Sequence, residues 1–284
     1  MPQSIAEVTA VLSSVAKFTW KETSLSAPQT VNHDGPKLFW RGVGNDLVNI
    51  ADIPNGTSKK TSSERSIDAI PGAVFQNKLC IAWAGTDHRL NVMRFDDPKS
   101  KVTLNETSNY APALAVFDQH LYLCWTGTDS RLNFVRSKDG VHFNDKITLD
   151  ERTSNSPALT TFHDKLFMAW TGIDTRLNVL AAMSAGHSKV TLNETSIAGP
   201  TFADFGGQLF LGWTGTDNPH HLNTIRSNDG FNFFGKVISN ETSNVGPALL
   251  STPTPFGNVL LLCWTGTDNH LNVEQIDEIA QAKK

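Results

Sequence analysis

Five short turns along the chain set a carboxylate near a Trp, and three of them add a guanidinium group. Asp87, Asp129, Asp174, Asp217 and Asp268 follow Trp83, Trp125, Trp170, Trp213 and Trp264, and Arg89, Arg131 and Arg176 stand just beyond the first three Asp residues. A second carboxylate recurs in phase, in Glu-Thr-Ser runs or their variants, at Glu64, Glu106, Glu151, Glu194 and Glu241. Carboxylates and guanidinium groups hold hydroxyls bidentately, while an aromatic ring stacks on the apolar C–H face of a sugar. The combination is the chemistry of a carbohydrate-binding surface. Weak sites repeated about a ring would gain further by multivalency.

The residues recur because the chain itself repeats. Close copies of Trp125-Thr126-Gly127-Thr128-Asp129-Ser130-Arg131-Leu132-Asn133 run to the C-terminus, and a degenerate first copy stands at Trp40-Arg41-Gly42. Each Glu-Thr-Ser run, the first at Glu22, leads to a proline: Pro28, Pro71, Pro112, Pro157, Pro200 and Pro247. Six units of roughly 42 to 47 residues match the period of a propeller blade. In the third unit, Pro112–Phe117, Leu121–Trp125, Leu132–Val135 and Lys146–Leu149 read as four strands, separated by turn residues such as Asp118-Gln119 and Asp139-Gly140. A meander of this kind brings its second-to-third turn and its exit crossover to the same end. The Gly-Thr-Asp turns and the Glu-Thr-Ser runs should therefore crowd one face.

The two termini complement each other. Lys17-Phe18-Thr19-Trp20-Lys21-Glu22 aligns with Lys101-Val102-Thr103-Leu104-Asn105-Glu106, a fourth strand without its first three, whereas the C-terminal unit supplies only three strands, near 247–252, 259–265 and 271–276. The N-terminal strand is expected to complete the last blade and leave no open edge. Residues 277–284 are expected to fray.

Ser137-Lys138-Asp139-Gly140-Val141-His142-Phe143 and Ser227-Asn228-Asp229-Gly230-Phe231-Asn232-Phe233 resemble the Asp-box turn of sialidase-like propellers, one residue shorter. With the Trp-Thr-Gly-Thr-Asp and Glu-Thr-Ser repeats, they make the chain resemble bacterial tandem-repeat propeller proteins of the sialidase-like or lectin-like type over roughly residues 17 to 276. The resemblance implies an all-β, six-bladed β-propeller of four-stranded antiparallel blades. One domain would span 1–284, with 1–16 and 277–284 as terminal extensions, and the Asp-box-like turns would be structural.

Three functions fit this pattern. The leading one is a multivalent lectin that binds glycans or glycoconjugates between blades on the Gly-Thr-Asp face. The second is an enzyme with a single axial pocket, either a sialidase-like glycoside hydrolase or a cyclase or lyase, because one active site needs residues that depart from the repeat. Tyr110 and Asp68, in crossovers, are the candidates, and Asn218-Pro219-His220-His221 enlarges the fifth turn. The third is a protein-interaction scaffold. Repetition also has a plain structural reading: the turn Asp bonds its own backbone, the Glu-Thr-Ser run ties crossovers together, and Trp is core between blades. Arg is missing from the fifth and sixth turns, so on this reading the fold does not require it.

Net charge is −4, with 24 basic against 28 acidic residues and no basic block, which excludes the electrostatic footprint of a nucleic-acid partner. No cofactor motif is present, and the adjacent His220 and His221 lack the spacing of metal ligands. Cys80, Cys124 and Cys263 sit on apolar strands as expected buried thiols. Neither a signal peptide nor a membrane span is read. The expected location is cytoplasmic, or outside the cell by release without a classical signal peptide.

Overall fold

The computed structural model describes residues 8–182, 188–255 and 257–282, and every regular element among them is a β-strand. The third unit shows how the sequence makes a blade. Strands Ala113–Phe117, His120–Thr126, Arg131–Ser137 and Asn144–Arg152 pair in that order as an antiparallel meander. Asp118 and Gln119 join the first two with φ of 45° and 59°, the left-handed pair that a two-residue hairpin needs. Leu121 to Thr126 is buried on both faces, whereas the outer strand is largely exposed. A strand apolar on both sides is what packing between two neighbouring blades demands.

The same four-stranded order recurs in 29–65, 72–107, 158–195 and 201–242. First strands of successive blades lie against one another around the ring and line its axis. The core is divided among the joints between blades. One cluster joins Ala82, Leu90 and Val92 of the second blade to Leu121, Leu123 and Trp125 of the third.

The sixth blade is built from both ends of the chain: Ala248–Thr254, Gly257–Thr265, His270–Ala282 and, outermost, Val8–Thr23. Lys17 lies opposite Glu274 and Thr19 opposite Asn272, as the alignment of the termini requires. Trp20 then crosses the seam. Its indole meets Trp40 of the first blade edge-on at 5.8 Å, and its Nε1 donates to the Pro54 carbonyl at 2.6 Å. Pairing also runs past the end of the repeat, to Val8 opposite Ala282, so residues 277–282, expected to fray, form a ribbon with 8–13. Each strand of the ribbon satisfies the other's backbone groups.

A chain that begins at Ser24 would leave His270–Ala282 as an open edge. We expect it to elute as oligomers or aggregate and to lose its cooperative melt, as measured by size-exclusion chromatography with calorimetry; an unchanged monomeric melt would contradict closure by this strand.

Candidate functional site

Turns and crossovers do share one face. The backbone N–H groups of Ser66, Ser108, Thr153 and Ser196 donate to the carbonyls of Asp46, His88, Ser130 and Thr175 in the turns. Within the turns, the Oδ1 of Asp87, Asp129, Asp174 and Asp268 accepts the N–H two residues on, at 3.0–3.2 Å. In the enlarged fifth turn the partner of Asp217 is His221, whose ring holds that carboxyl below the usual carboxylate range. The Asn of each Leu-Asn pair closes the same turn: Asn133 Nδ2 donates to the Arg131 carbonyl at 2.9 Å. Glycine is required beneath them, because a Cβ at Gly127 would stand 2.8 Å from Asp129 Oδ1 and 2.9 Å from Asn133 Nδ2. Gly, Asp and Asn of the motif therefore form one hydrogen-bonded unit, although all five Asp residues remain exposed.

Arg89, Arg131 and Arg176 lie back along the outer strands. Their Nε atoms donate to the carbonyls of Leu104, Leu149 and Leu192 at 3.1–3.3 Å, where the strand register shifts. Arg131 also pairs with Asp150, and Arg176 Nη2 donates to Asn193 Oδ1 at 2.8 Å. In the sixth blade His270 Nδ1 serves the equivalent carbonyl, that of Trp20, at 2.9 Å. The fold thus uses these arginines after all, and their absence from the sixth turn is met by histidine.

Trp83, Trp125, Trp170, Trp213 and Trp264, with Trp40, are each 1% exposed. No face of the ring is left for a sugar, so the stacking wall expected of them gives way to a core role. Each is covered by a lysine of its own outer strand: Lys59, Lys101, Lys146, Lys189, Lys236 and Lys17 stand 5.1–5.5 Å above Trp40, Trp83, Trp125, Trp170, Trp213 and Trp264. These lysines in turn pair at 2.5–2.7 Å with Glu22, Glu64, Glu106, Glu151, Glu194 and Glu241 of the preceding blade. The repeat glutamates are therefore bound up in joints and do not converge on the channel. Sequence reasoning missed the lysines, whose signal is the Lys-x-Thr recurring in outer strands, as in Lys101-Val102-Thr103 and Lys189-Val190-Thr191.

Beside these joints lie clefts. At three interfaces, between blades two and three, five and six, and six and one, equivalent cavities of about 480, 510 and 550 Å³ open along the outer strand. Each is edged by a joint glutamate: Glu106, Glu241 or Glu22. In the cleft between blades two and three, Val102, Leu104 and Val135 provide apolar walls, half-buried Phe143 an aromatic one, and Asn105 and Lys146 further polar groups.

A different cavity, of about 270 Å³, lies on the axis where the six crossovers meet. Tyr110 and Asp68 both line it. Asp68 Oδ1 accepts the Ala69 N–H at 2.8 Å, and Oδ2 accepts the Ala111 N–H at 2.9 Å and the Ser156 hydroxyl at 3.3 Å, so it ties three crossovers together. Beneath it Thr30, Gly72, Leu114, Leu159, Phe202 and Leu249, one from each first strand, make a largely apolar waist shared with a second axial cavity of about 350 Å³. Asp204 lines that second cavity, and desolvation raises its carboxyl above the ordinary range, with nearby His163 acting the other way.

The Asp-box-like turns are closed by their own groups. Ser137 Oγ donates to Asp139 Oδ1 at 2.9 Å and accepts the Gly140 N–H, and Asp139 Oδ1 accepts the N–H groups of Val141 and His142. Asp229 repeats the pattern with Phe231 and Asn232. The His142 ring, then backbone N–H groups, hold the Asp139 carboxyl far below the usual range, and for Asp229 the N–H groups of Asn232 and Phe231 lead.

No protein-family model and no curated protein matches the sequence. Among solved structures, the lectin of Aleuria aurantia in complex with Fucalpha1-6GlcNAc is similar at a TM-score of 0.63 and 10% identity, over 93% of this chain and 99% of that one. AofleA from Arthrobotrys oligospora is similar at 0.68 and 10%, over 97% and 91%. BBS1N in complex with ARL6DN is similar at 0.60 and 10%, over 96% and 99%. At these identities the likeness speaks for the six-bladed fold.

Two outcomes follow from this geometry. Trp170→Ala should cost about 3–5 kcal/mol in denaturant unfolding, whereas Lys189→Met, which keeps the covering stem and removes the charge, should cost no more than about 1 kcal/mol; equal losses would refute the core role. Asp139 and Asp229 are depressed in the folded state, so their stabilisation is complete above the unfolded value of about 3.9 and is lost as pH falls below it. The double variant Asp139→Asn/Asp229→Asn should therefore lose less stability than the parent between about pH 4 and pH 2, read as melting temperature against pH.

Proposed function

We propose that the chain is a carbohydrate-binding protein whose sites are the clefts between blades. The observation that carries this reading is their recurrence: three equivalent cavities of 480–550 Å³, each with a joint carboxylate at its edge. Sugars suit such places. Hydroxyls accept charge-assisted hydrogen bonds from Lys and donate them to Glu, and the less polar ring face lies on apolar or aromatic walls. Arg89 is placed to add to the cleft between blades two and three, because its Nε is bonded to Leu104, which lines that cleft. The exposed turn carboxylates Asp87, Asp129, Asp174, Asp217 and Asp268 form an outer ring on the crossover face, open to longer glycans.

Several structural neighbours support the same reading by what they bind. Fucosides occupy the Aleuria aurantia lectin and SapL1 lectin. An α-L-fucoside is therefore the first sugar to try.

Calorimetric titration of the full chain with α-methyl-L-fucoside, and with an array of other glycosides, should give more than one site per chain. Phe143→Ala should weaken one of these about threefold to tenfold and spare the others, as loss of a single aromatic contact requires. A single site, or no binding to any glycoside, would overturn the proposal.

A further inference from the structure

We infer that the axial mouth on the crossover face binds one small organic cation, a compact ammonium with an apolar body, at a site separate from the clefts. Asp68 is the only acidic side chain among the described residues that line this mouth, and none of those residues is basic. Its oxygens accept two N–H groups and one hydroxyl, all from uncharged donors. A carboxylate with two oxygens has about four acceptor sites, so one further donor can be taken, and its charge has no counter-ion in the cavity. The complementary ligand group is a cation.

The surroundings say what the cation carries. Next to Asp68 around the mouth stands Tyr110, whose hydroxyl makes no hydrogen bond among the described residues and whose ring is a face for an ammonium. The side-chain amide of Asn155, beyond it, likewise makes no hydrogen bond among the described residues. On the opposite side the crossovers present Ile197, Val245 and exposed Leu25, and the floor is Leu114, Leu159, Phe202 and Leu249 of the waist. Asp68, Tyr110 and Asn155 therefore make one half of the mouth acidic and polar, while the other half, which also carries Gln29 and Asn244, holds no charge and shares the largely apolar floor. A cavity of about 270 Å³ is smaller than those that hold drug-sized ligands, and it takes one compact molecule with its charged end at Asp68 and its apolar end on the waist.

The site depends on departures from the repeat. Tyr110 occupies a crossover position where other units have Ser26, Asn155, Ala198 or Val245, so a mouth made of six equal crossovers would lack its aromatic wall.

The test is calorimetric titration of the full chain with phenethylammonium and with its uncharged counterpart 2-phenylethanol, at neutral pH and low salt. Phenethylammonium should bind at one site per chain at least tenfold more tightly than the alcohol, and saturating α-methyl-L-fucoside should leave its affinity unchanged. Asp68→Asn should erase the preference for the cation. Because Asp68 also ties crossovers together, Tyr110→Ala provides a second arm, expected to weaken phenethylammonium at least threefold with an unaltered melting temperature. Equal binding of the two probes, no binding of either, several equivalent sites, competition by the fucoside, or indifference to the Tyr110 change would each overturn the inference. None of these results depends on whether the clefts bind sugar.

Discussion

Everything in this molecule rests on the joint between blades, where a buried indole is roofed by a lysine stem and the lysine is held by a glutamate from the blade before. The indole supplies the apolar area. The ion pair lies at the surface and contributes little by itself, but it fixes the stem over the ring and keeps water from its edge. Lys and Glu occur within the same outer strand, as Lys101 and Glu106 do, yet neither is satisfied there: Lys101 reaches back to Glu64, and Glu106 waits for Lys146. A lone blade leaves both ends of this chain of pairs open. Only a closed ring satisfies them all, and Lys17 with Glu241 and Lys59 with Glu22 complete it across the seam of the two termini.

This joint, with the turn that follows the Trp, consumes most of the repeated chemistry. Oδ1 of Asp129 is occupied by its own turn, Arg131 caps a bulged carbonyl, and Glu106 belongs to a lysine. Regularity here is a requirement of folding. On the reading proposed above, recognition would fall to what the joints leave between them, the clefts along the outer strands, and to positions where the units differ, such as Asp68 and Tyr110.

Blade number, meander order and closure by the N-terminal strand were legible because period, turn residues and the complementary defects of the termini are all local features. Roles within the blade were harder to read. Trp125 follows an apolar run, which favours core, but precedes a polar turn, which keeps a surface role open, and only packing against the second blade decides. Lys146-Ile147-Thr148 looks like any solvated edge strand, since the Trp that Lys146 covers lies two strands away in its sheet and its Glu in another blade. Asp68 is visible as a departure from the repeat, but its partners Ala111 and Ser156 stand in two other units. Residues 277–282 carried no strand signal of their own, because their pairing partners are at the far end of the chain.

The joint also has a direction: each blade presents its lysine to the blade behind it and its glutamate to the blade ahead, so the two surfaces that meet are different. In an assembly of separate subunits this would be a head-to-tail interface, which either grows without limit or closes when its rotation divides the circle evenly. Here it closes at six copies, and the covalent crossovers only fix the order in which the copies meet. The propeller is in this sense a cyclic hexamer carried on one chain, its subunit number set by the angle at which an indole and its lysine accept the preceding blade.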